Sequence, residues 1–278
     1  MTDKSGFPPV VSAEWLAARL PAVKVADTRW YLDGRSGLAA YRSGHIPGSV
    51  FVDLDRWLSG PASPEAGRHP LPAPEVFAEG MSRAGIADAD TVVAYDDAGG
   101  VIAARLVWML RVSGHAAALL DGGIGAWAGP LQQADTHPEP ALFRPRPWPR
   151  ERLASIDIVA GRNGLVLDAR TRARYRGEGD PVDPRSGHIP GAVSLPCREN
   201  LDAAGHFLPA PELRRRFTEA GVAGTSTVIS YCGSGVTACH NLLALELAGL
   251  GTGRLFPGSW SQWSRDVTRP VATGDEPT

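Results

Sequence analysis

The sequence predicts an α/β protein made of two copies of one domain, each with a parallel sheet flanked by helices. Three observations predict this fold. Segments of the first half recur in the second half in the same order, strand patterns alternate with helix patterns in both halves, and a proline-rich stretch without periodicity separates them. Alternating strands and helices are typical of parallel sheets that are covered on both faces.

The repeat defines the domains. Its spacing is too wide for a solenoid, so duplication of a whole domain is the economical explanation. We place the first domain at residues 1–145, with a linker from about residue 128, and the second at residues 146–278. The matching pairs are "SGHIPGS" (43–49) with "SGHIPGA" (186–192), "LPAPE" at 71 with the same letters at 208, residues 83–97 with 219–233, and "LLDGGIGAW" (119–127) with "RLFPGSWSQW" (254–263).

Each copy contains the same predicted elements. Short runs rich in β-branched and other apolar residues predict buried strands. Amphipathic runs that begin near a proline and end at a glycine predict helices. In sheets of this kind, functional sites lie beyond the carboxyl ends of the strands. The predicted strands are 22–30, 91–95, 164–170 and 227–230, and the clearest helices are 73–85 and 210–221.

Composition excludes several classes of protein. A net charge of −2 gives no electrostatic footprint for nucleic acid or an acidic membrane surface, and no apolar run is long enough to span a bilayer. The chain starts without a secretory signal pattern. Its three cysteines have no metal-ligand spacing and form no disulfide framework, so we expect a reduced, cytoplasmic setting without metal or organic cofactor.

Cys232 stands where strand 227–230 passes into a helix predicted to start near Val236 or Thr237. Gly233 and Gly235 allow successive backbone N–H groups to point inward as an anion nest, and the helix N-terminus adds partial positive charge. Both effects favour the thiolate, which is the nucleophilic form of cysteine. A buried structural cysteine in a glycine turn is the alternative interpretation.

Two other anion-binding chemistries do not fit the loop. Cysteine-dependent phosphatases place an arginine six residues after the cysteine, and here that residue is Ala238. A nucleotide-binding P-loop ends in Gly-Lys-Ser/Thr, which is missing.

The chain resembles the tandem-rhodanese sulfurtransferases over nearly its full length, from about Ser12 to Gly274. Its loop "CGSGVT", residues 232–237, is similar to that of 3-mercaptopyruvate sulfurtransferases, whereas thiosulfate sulfurtransferases more often carry "CRKGVT" with two cations. The "GHIPG" segments and "PGSWSQW" are also typical of the family. The resemblance implies two rhodanese-like domains and a reaction in which Cys232 takes a sulfane sulfur as a persulfide, which a thiol, cyanide or a thioredoxin-like protein then removes.

The resemblance also implies roles for other residues. Ser234 is expected to relay a proton with His69 and Asp55, and Arg174 is expected to hold the anionic end of the donor. Arg185 is the candidate for a second carboxylate-binding arginine, and the N–H groups of Gly233, Gly235, Val236 and Thr237 are expected to bind the persulfide.

The first domain is expected to be catalytically silent, because the repeat places Asp96 opposite Cys232 and a carboxylate cannot carry sulfane sulfur. Cys239 is expected to pack in the core, and Cys197 has no assigned role. Mercaptopyruvate is the first expected donor and thiosulfate the second. A persulfide carrier or redox sensor that serves a protein partner, or a purely structural protein with an unreactive Cys232, are the alternatives from other classes.

Overall fold

The computed structural model describes residues 6–224 and 227–277. The chain forms two compact units. The first contains the described residues up to Gly60 together with Leu71–Trp148 and Ala203–Phe207. The second contains Pro61–Pro70, Pro149–Asp202 and the described residues from Leu208 onward.

The first unit has a five-stranded parallel sheet with strand order β1-β5-β4-β2-β3. The central strand β4 is buried at every residue, as its apolar sequence predicts. The elements in chain order are β1 Val10–Val11, α1 Ala13–Ala17, β2 Lys24–Asp27, α2 Gly37–Ser43, β3 Val50–Phe51, α3 Leu54–Trp57, α4 Pro74–Arg83, β4 Val92–Tyr95, α5 Ala104–Val112 and β5 Ala117–Leu120.

The second unit has a four-stranded parallel sheet with order β7-β6-β8-β9, which repeats β3-β2-β4-β5 of the first. A single parallel bridge between Leu153 and Leu255 stands where the first unit has β1. The predicted duplication and parallel sheets are therefore confirmed. The elements are α6 Ile156–Ala160, β6 Leu165–Asp168, α7 Arg172–Arg176, β7 Val193–Ser194, α8 Ala210–Glu219, β8 Val228–Tyr231, α9 Ala238–Leu247, β9 Arg254–Leu255 and α10 Ser259–Trp263.

Two helices of the second unit pack differently because their sequences differ. Helix α8 is amphipathic and buries Leu213 and Phe217. Helix α9 is mostly apolar and is buried from Ala238 to Leu245, including the polar residues His240 and Asn241, as expected for a helix without a solvent-facing side. Burial of α9 fixes the loop that precedes it, between β8 and α9.

The repeated "GHIPG" segments have a structural role in both units. In the second unit, Arg170 pairs with Asp168 at 2.6 Å and donates to the carbonyl of Gly187 at 2.7 Å. His188 stacks on Tyr175 with ring centroids 3.6 Å apart. The first unit repeats each contact with Asp27, Arg29, Gly44, His45 and Tyr41.

The observed division of the chain differs from the predicted one in three places, one of which is Ala203–Phe207, a segment of the first unit that the prediction places in the second domain. The linker packs on the first unit as far as Trp148, because Phe143 lies edge-on to Phe77 and Trp148 Nε1 donates to the carbonyl of Pro72 at 2.8 Å. Residues 61–70 belong to the second unit, although the repeat places them in the first domain. No helix in the described part of the chain is long and apolar enough to cross a membrane.

Candidate active site

Cys232 is the first residue after β8 and is only 2% exposed. The N–H of Gly235 donates to its Sγ at 3.1 Å. Gly235 has φ +80°, and a Cβ at this residue would lie 2.5 Å from the carbonyl oxygen of Pro257. Only glycine fits this turn, so Gly235 is required for the N–H group to reach the sulfur.

The segment after β9 forms hydrogen bonds with the main chain of the cysteine loop. Ser259 Oγ accepts the N–H of Cys232 at 3.2 Å, and the N–H of Trp260 donates to the Cys232 carbonyl at 3.0 Å. The N–H of Ser261 donates to the carbonyl of Gly233 at 2.8 Å. The main chain around the sulfur is therefore fixed by residues of "PGSWSQW", a role that sequence reasoning did not assign to the two serines.

The equivalent loop of the first unit contains the side chain of Asp96. Asp96 follows β4 as Cys232 follows β8, and its buried carboxylate accepts four backbone N–H groups at 2.7 to 2.9 Å. This turn of the fold can thus surround an acceptor side chain with main-chain donors. The N-cap residue of α9 in the second unit, Thr237, makes no side-chain hydrogen bond to the first turn of the helix. The four donors to Asp96 are Ala98, Gly100, Ile102 and Ala103.

His69 and Ser234 lie together in the second unit. Nδ1 of His69 is 2.8 Å from Oγ of Ser234, and the two residues are 7% and 8% exposed. Just ahead of His69 in the chain, Ser63 and Gly67 exchange two backbone hydrogen bonds and close a turn. The predicted pair therefore has the geometry that proton relay requires.

Asp55 lies on α3 in the first unit, where its Oδ2 accepts the indole N–H of Trp30 at 2.9 Å. Asp53 is the N-cap of the same helix and accepts the N–H groups of Asp55 and Arg56. The carboxylate of Asp53 therefore caps α3, whereas that of Asp55 accepts a side-chain donor. The catalytic role of Asp55 stays a prediction.

Two arginines meet beside Gly233. A Cβ added there would lie 3.1 Å from Nη2 of Arg68 and 3.4 Å from both terminal nitrogens of Arg174. Arg174 is also paired with Asp180 at 2.8 Å and Asp183 at 3.1 Å. The structure therefore brings the predicted Arg174 to the loop. Sequence reasoning missed Arg68, for which adjacency to His69 was the available signal.

Asp180 keeps Arg174 in place. Burial acts to raise the pKa of Asp180, but hydrogen bonds from Arg174 and from two backbone N–H groups outweigh it and lower that pKa. Asp180 is therefore ionised at neutral pH.

Arg185, the predicted second carboxylate-binding arginine, contacts main-chain carbonyls in the structure. Its guanidinium donates to four main-chain carbonyls, which use four of its five N–H bonds. It acts as a clamp on the end of α10 and on the chain that follows, and the expectation that it binds the donor stays a prediction. The carbonyls belong to Trp263, Ser264, Asp266 and Arg269.

The remaining cysteines differ from Cys232. All three are free thiols. Burial, and then the nearby Cys232, raise the pKa of Cys197 to about 12, so its thiol stays protonated at neutral pH. Cys239 lies fully buried on α9, and its Sγ is 3.4 Å from the carbonyl of Gly235. Among the described residues, no group of three or more His, Cys, Asp or Glu is arranged to hold a metal ion.

Comparisons with known proteins identify the family of the chain. The Rhodanese-like domain family matches residues 12–130 and 151–266. The chain is 43% identical to the "Probable 3-mercaptopyruvate sulfurtransferase" of Pseudomonas aeruginosa, over 96% of this chain and 98% of that one. It is 38% identical to the "Putative thiosulfate sulfurtransferase SseB" of Mycobacterium tuberculosis, over 95% and 97% of the two chains.

A solved structure gives the same result. The 3-mercaptopyruvate sulfurtransferase from Leishmania major superposes with a TM-score of 0.86 at 29% identity, covering 95% of this chain and 76% of that one. Both rhodanese-like domains and nearly the whole length are thus matched. The chain belongs to the tandem-rhodanese sulfurtransferase family.

Proposed function

We propose that this enzyme transfers sulfur from 3-mercaptopyruvate to a thiol or cyanide through a persulfide on Cys232. The hydrogen-bonded pair of Ser234 and His69, buried beside the cysteine loop, is the observation that carries the choice of donor. Mercaptopyruvate must transfer a proton as well as sulfur, and this pair supplies a route for it.

In the first step, the thiolate of Cys232 attacks the sulfur of mercaptopyruvate. The bond between Sγ and that sulfur forms while the carbon–sulfur bond breaks, and the electron pair goes to carbon as the enolate of pyruvate. The thiol proton of the donor moves through Ser234 and His69 to that carbon. The products are pyruvate and an anionic persulfide, so atoms and charge balance.

The persulfide carries its negative charge on the outer sulfur, next to the backbone donors of the loop. Fixed N–H groups stabilise such a charge without reorganisation during the reaction. The carboxylate of Asp96 in the first unit illustrates the capacity of this turn. A thiolate or cyanide then attacks the outer sulfur, and Cys232 leaves as a thiolate.

The direct test compares kcat/KM for sulfur transfer to cyanide from mercaptopyruvate and from thiosulfate under identical conditions. We expect a clear preference for mercaptopyruvate. Preference for thiosulfate would reject the donor assignment but keep the persulfide mechanism, and absence of transfer from both donors would reject the function.

Replacement of Ser234 by alanine gives a second, sharper result. Loss of the hydroxyl should lower kcat with mercaptopyruvate by about 10²-fold or more, because proton transfer to the enolate loses its relay. Thiosulfate needs no such proton and serves as the control donor in the same preparation. An equal loss with both donors would mean that Ser234 supports the loop rather than the proton transfer.

Thiosulfate remains the second candidate donor because of one specific observation. Arg68 and Arg174 surround Gly233 with two guanidinium groups, although the loop itself is uncharged. A dianion would be attracted to that pair.

We further propose that the first unit is catalytically silent, since Asp96 fills its loop, and that catalysis resides in the second unit. A reducing compartment such as the cytoplasm suits the three free thiols, and a thioredoxin-like protein is a suitable acceptor.

A further inference from the structure

We propose that Arg68 binds the anionic end of the sulfur donor together with Arg174, and so supplies a cation that the loop at residues 232–237 lacks. This inference rests on the proposed function and refines its donor site. It assigns the second anion-binding arginine to a residue ahead of His69, in place of Arg185.

The space over Gly233 is the first argument. The thiosulfate-type loop carries an arginine at this position, whereas here a bare Cβ would already lie 3.1 Å from Nη2 of Arg68. Arg68 therefore occupies the space into which a side chain of residue 233 would project. The cation reaches the residue next to Cys232 from a different segment of the chain.

The orientation of the two guanidinium groups is the second argument. Asp183, whose side chain is fully buried, accepts from Nη1 of Arg68 at 2.6 Å and from Nη2 of Arg174 at 3.1 Å. Nη2 of Arg68 also lies 3.5 Å from Asp183, so the shared carboxylate holds Arg68 by both terminal nitrogens and Arg174 by Nη2. Nη2 of Arg68 and Nη1 of Arg174 remain on the side of Gly233. Two guanidinium groups held in this way suit a carboxylate or another small oxyanion.

Accessibility and unused donors are the third argument. The side chains of Arg68 and Arg174 are 26% and 21% exposed, so a small anion can reach both. Nε of Arg68 is buried and has no hydrogen-bond partner among the described residues.

The backbone of Arg68 is tied to the loop. Its N–H donates to Oγ of Ser261 at 3.0 Å, and the N–H of the same serine donates to the carbonyl of Gly233. Gly67 has φ +87°, and a Cβ there would lie 2.6 Å from the carbonyl oxygen of Gly258. The close approach of segment 61–70 therefore requires glycine at this turn, and it fixes Arg68 relative to Cys232.

The ligand is the shared chemistry of two donors, namely the carboxylate of mercaptopyruvate and the oxygens of thiosulfate. The test variant is Arg68→Gln, which removes the charge and keeps a polar side chain. We expect KM to rise about 10- to 100-fold for at least one donor, with kcat nearly unchanged, as loss of charged hydrogen bonds predicts. Arg265→Gln removes the same charge from a neighbouring exposed arginine and should leave KM unchanged.

A binding measurement separates this proposal from the proposed function. Pyruvate and sulfite are the products left by the two donors, and calorimetric titration of each into wild type and Arg68→Gln needs no turnover. Loss of pyruvate binding alone identifies a carboxylate subsite, loss of sulfite binding alone identifies a thiosulfate subsite, and loss of both identifies a general oxyanion subsite. Each of these supports the proposal, even if cyanide assays of wild type show no sulfur transfer.

Unchanged KM for both donors and unchanged product binding in Arg68→Gln would overturn the proposal. If that variant does not fold, Arg68→Lys replaces it, because lysine keeps the positive charge but lacks the paired N–H donors of the guanidinium group. We expect an intermediate rise in KM for Arg68→Lys. A purely structural Arg68 would instead lower thermal stability without changing product affinity.

Discussion

Replacing Cys232 by serine should lower sulfur transfer to cyanide by at least about 10³-fold, because the group that carries the sulfur is removed. A serine hydroxyl is not ionised at neutral pH, and a backbone donor such as the Gly235 N–H cannot make it a comparable nucleophile. Thiocyanate formation with each donor measures the effect. The variant should keep its fold, since sulfur and oxygen can accept the same N–H group.

Two matched variants serve as controls for the thiol. Cys197→Ser removes a cysteine whose pKa is raised to about 12, and Cys239→Ser removes one that packs on α9. Both should retain most of the turnover, and iodoacetamide at neutral pH should label Cys232 in each. Turnover close to wild type in Cys232→Ser would disprove the assignment of the nucleophile, as would an equal loss in Cys197→Ser.

Replacing Asp96 by alanine should destabilise the first unit strongly. The carboxylate is fully buried and accepts four backbone N–H groups, so its removal leaves those donors without partners. We expect a loss on the order of 3–5 kcal/mol in the free energy of unfolding and a fall of roughly 10 °C in the unfolding midpoint. Scanning calorimetry of the whole chain measures both.

The same variant separates structure from catalysis in the first unit. Below the unfolding transition, Asp96→Ala should keep most of its sulfur transfer per folded molecule, because Cys232 belongs to the other unit. Asp97→Ala removes the neighbouring exposed carboxylate, which accepts the hydroxyl of Tyr31 at 2.6 Å, and as the matched control it should shift the midpoint much less. An unfolding midpoint equal to wild type in Asp96→Ala would show that water replaces the carboxylate at no cost.

The fold was predictable from the sequence because both the duplication and the burial of the strands produce recognisable local sequence patterns. Strands such as β4 and β8 are mostly apolar and buried at every residue, as expected for central parallel strands, and the two repeats support each other. The same reasoning could not predict that residues 61–70 belong to the second unit. Contacts such as Arg68 with Asp183, which are 115 positions apart, decide it, and no periodicity signals them.

The site was predictable only in part, for a related reason. Cys232 follows from a strand, two glycines and a helix in succession, and Ser234 with His69 follows from family resemblance. An arginine in an irregular segment carries no signal of its partner. Arg185 was therefore assigned to the donor although it binds main-chain carbonyls, while Arg68 was overlooked although it lies beside the loop.

The contacts of "PGSWSQW" with the loop also bear on the order in which the site is assembled during synthesis. Ser259, Trp260 and Ser261 hold the main chain of Cys232 and Gly233, yet they leave the ribosome after the cysteine does. A growing chain therefore exposes the thiol before its supports exist. The nucleophile acquires its fixed surroundings only once almost all of the second unit has been translated, so an incomplete chain has the cysteine without its finished site.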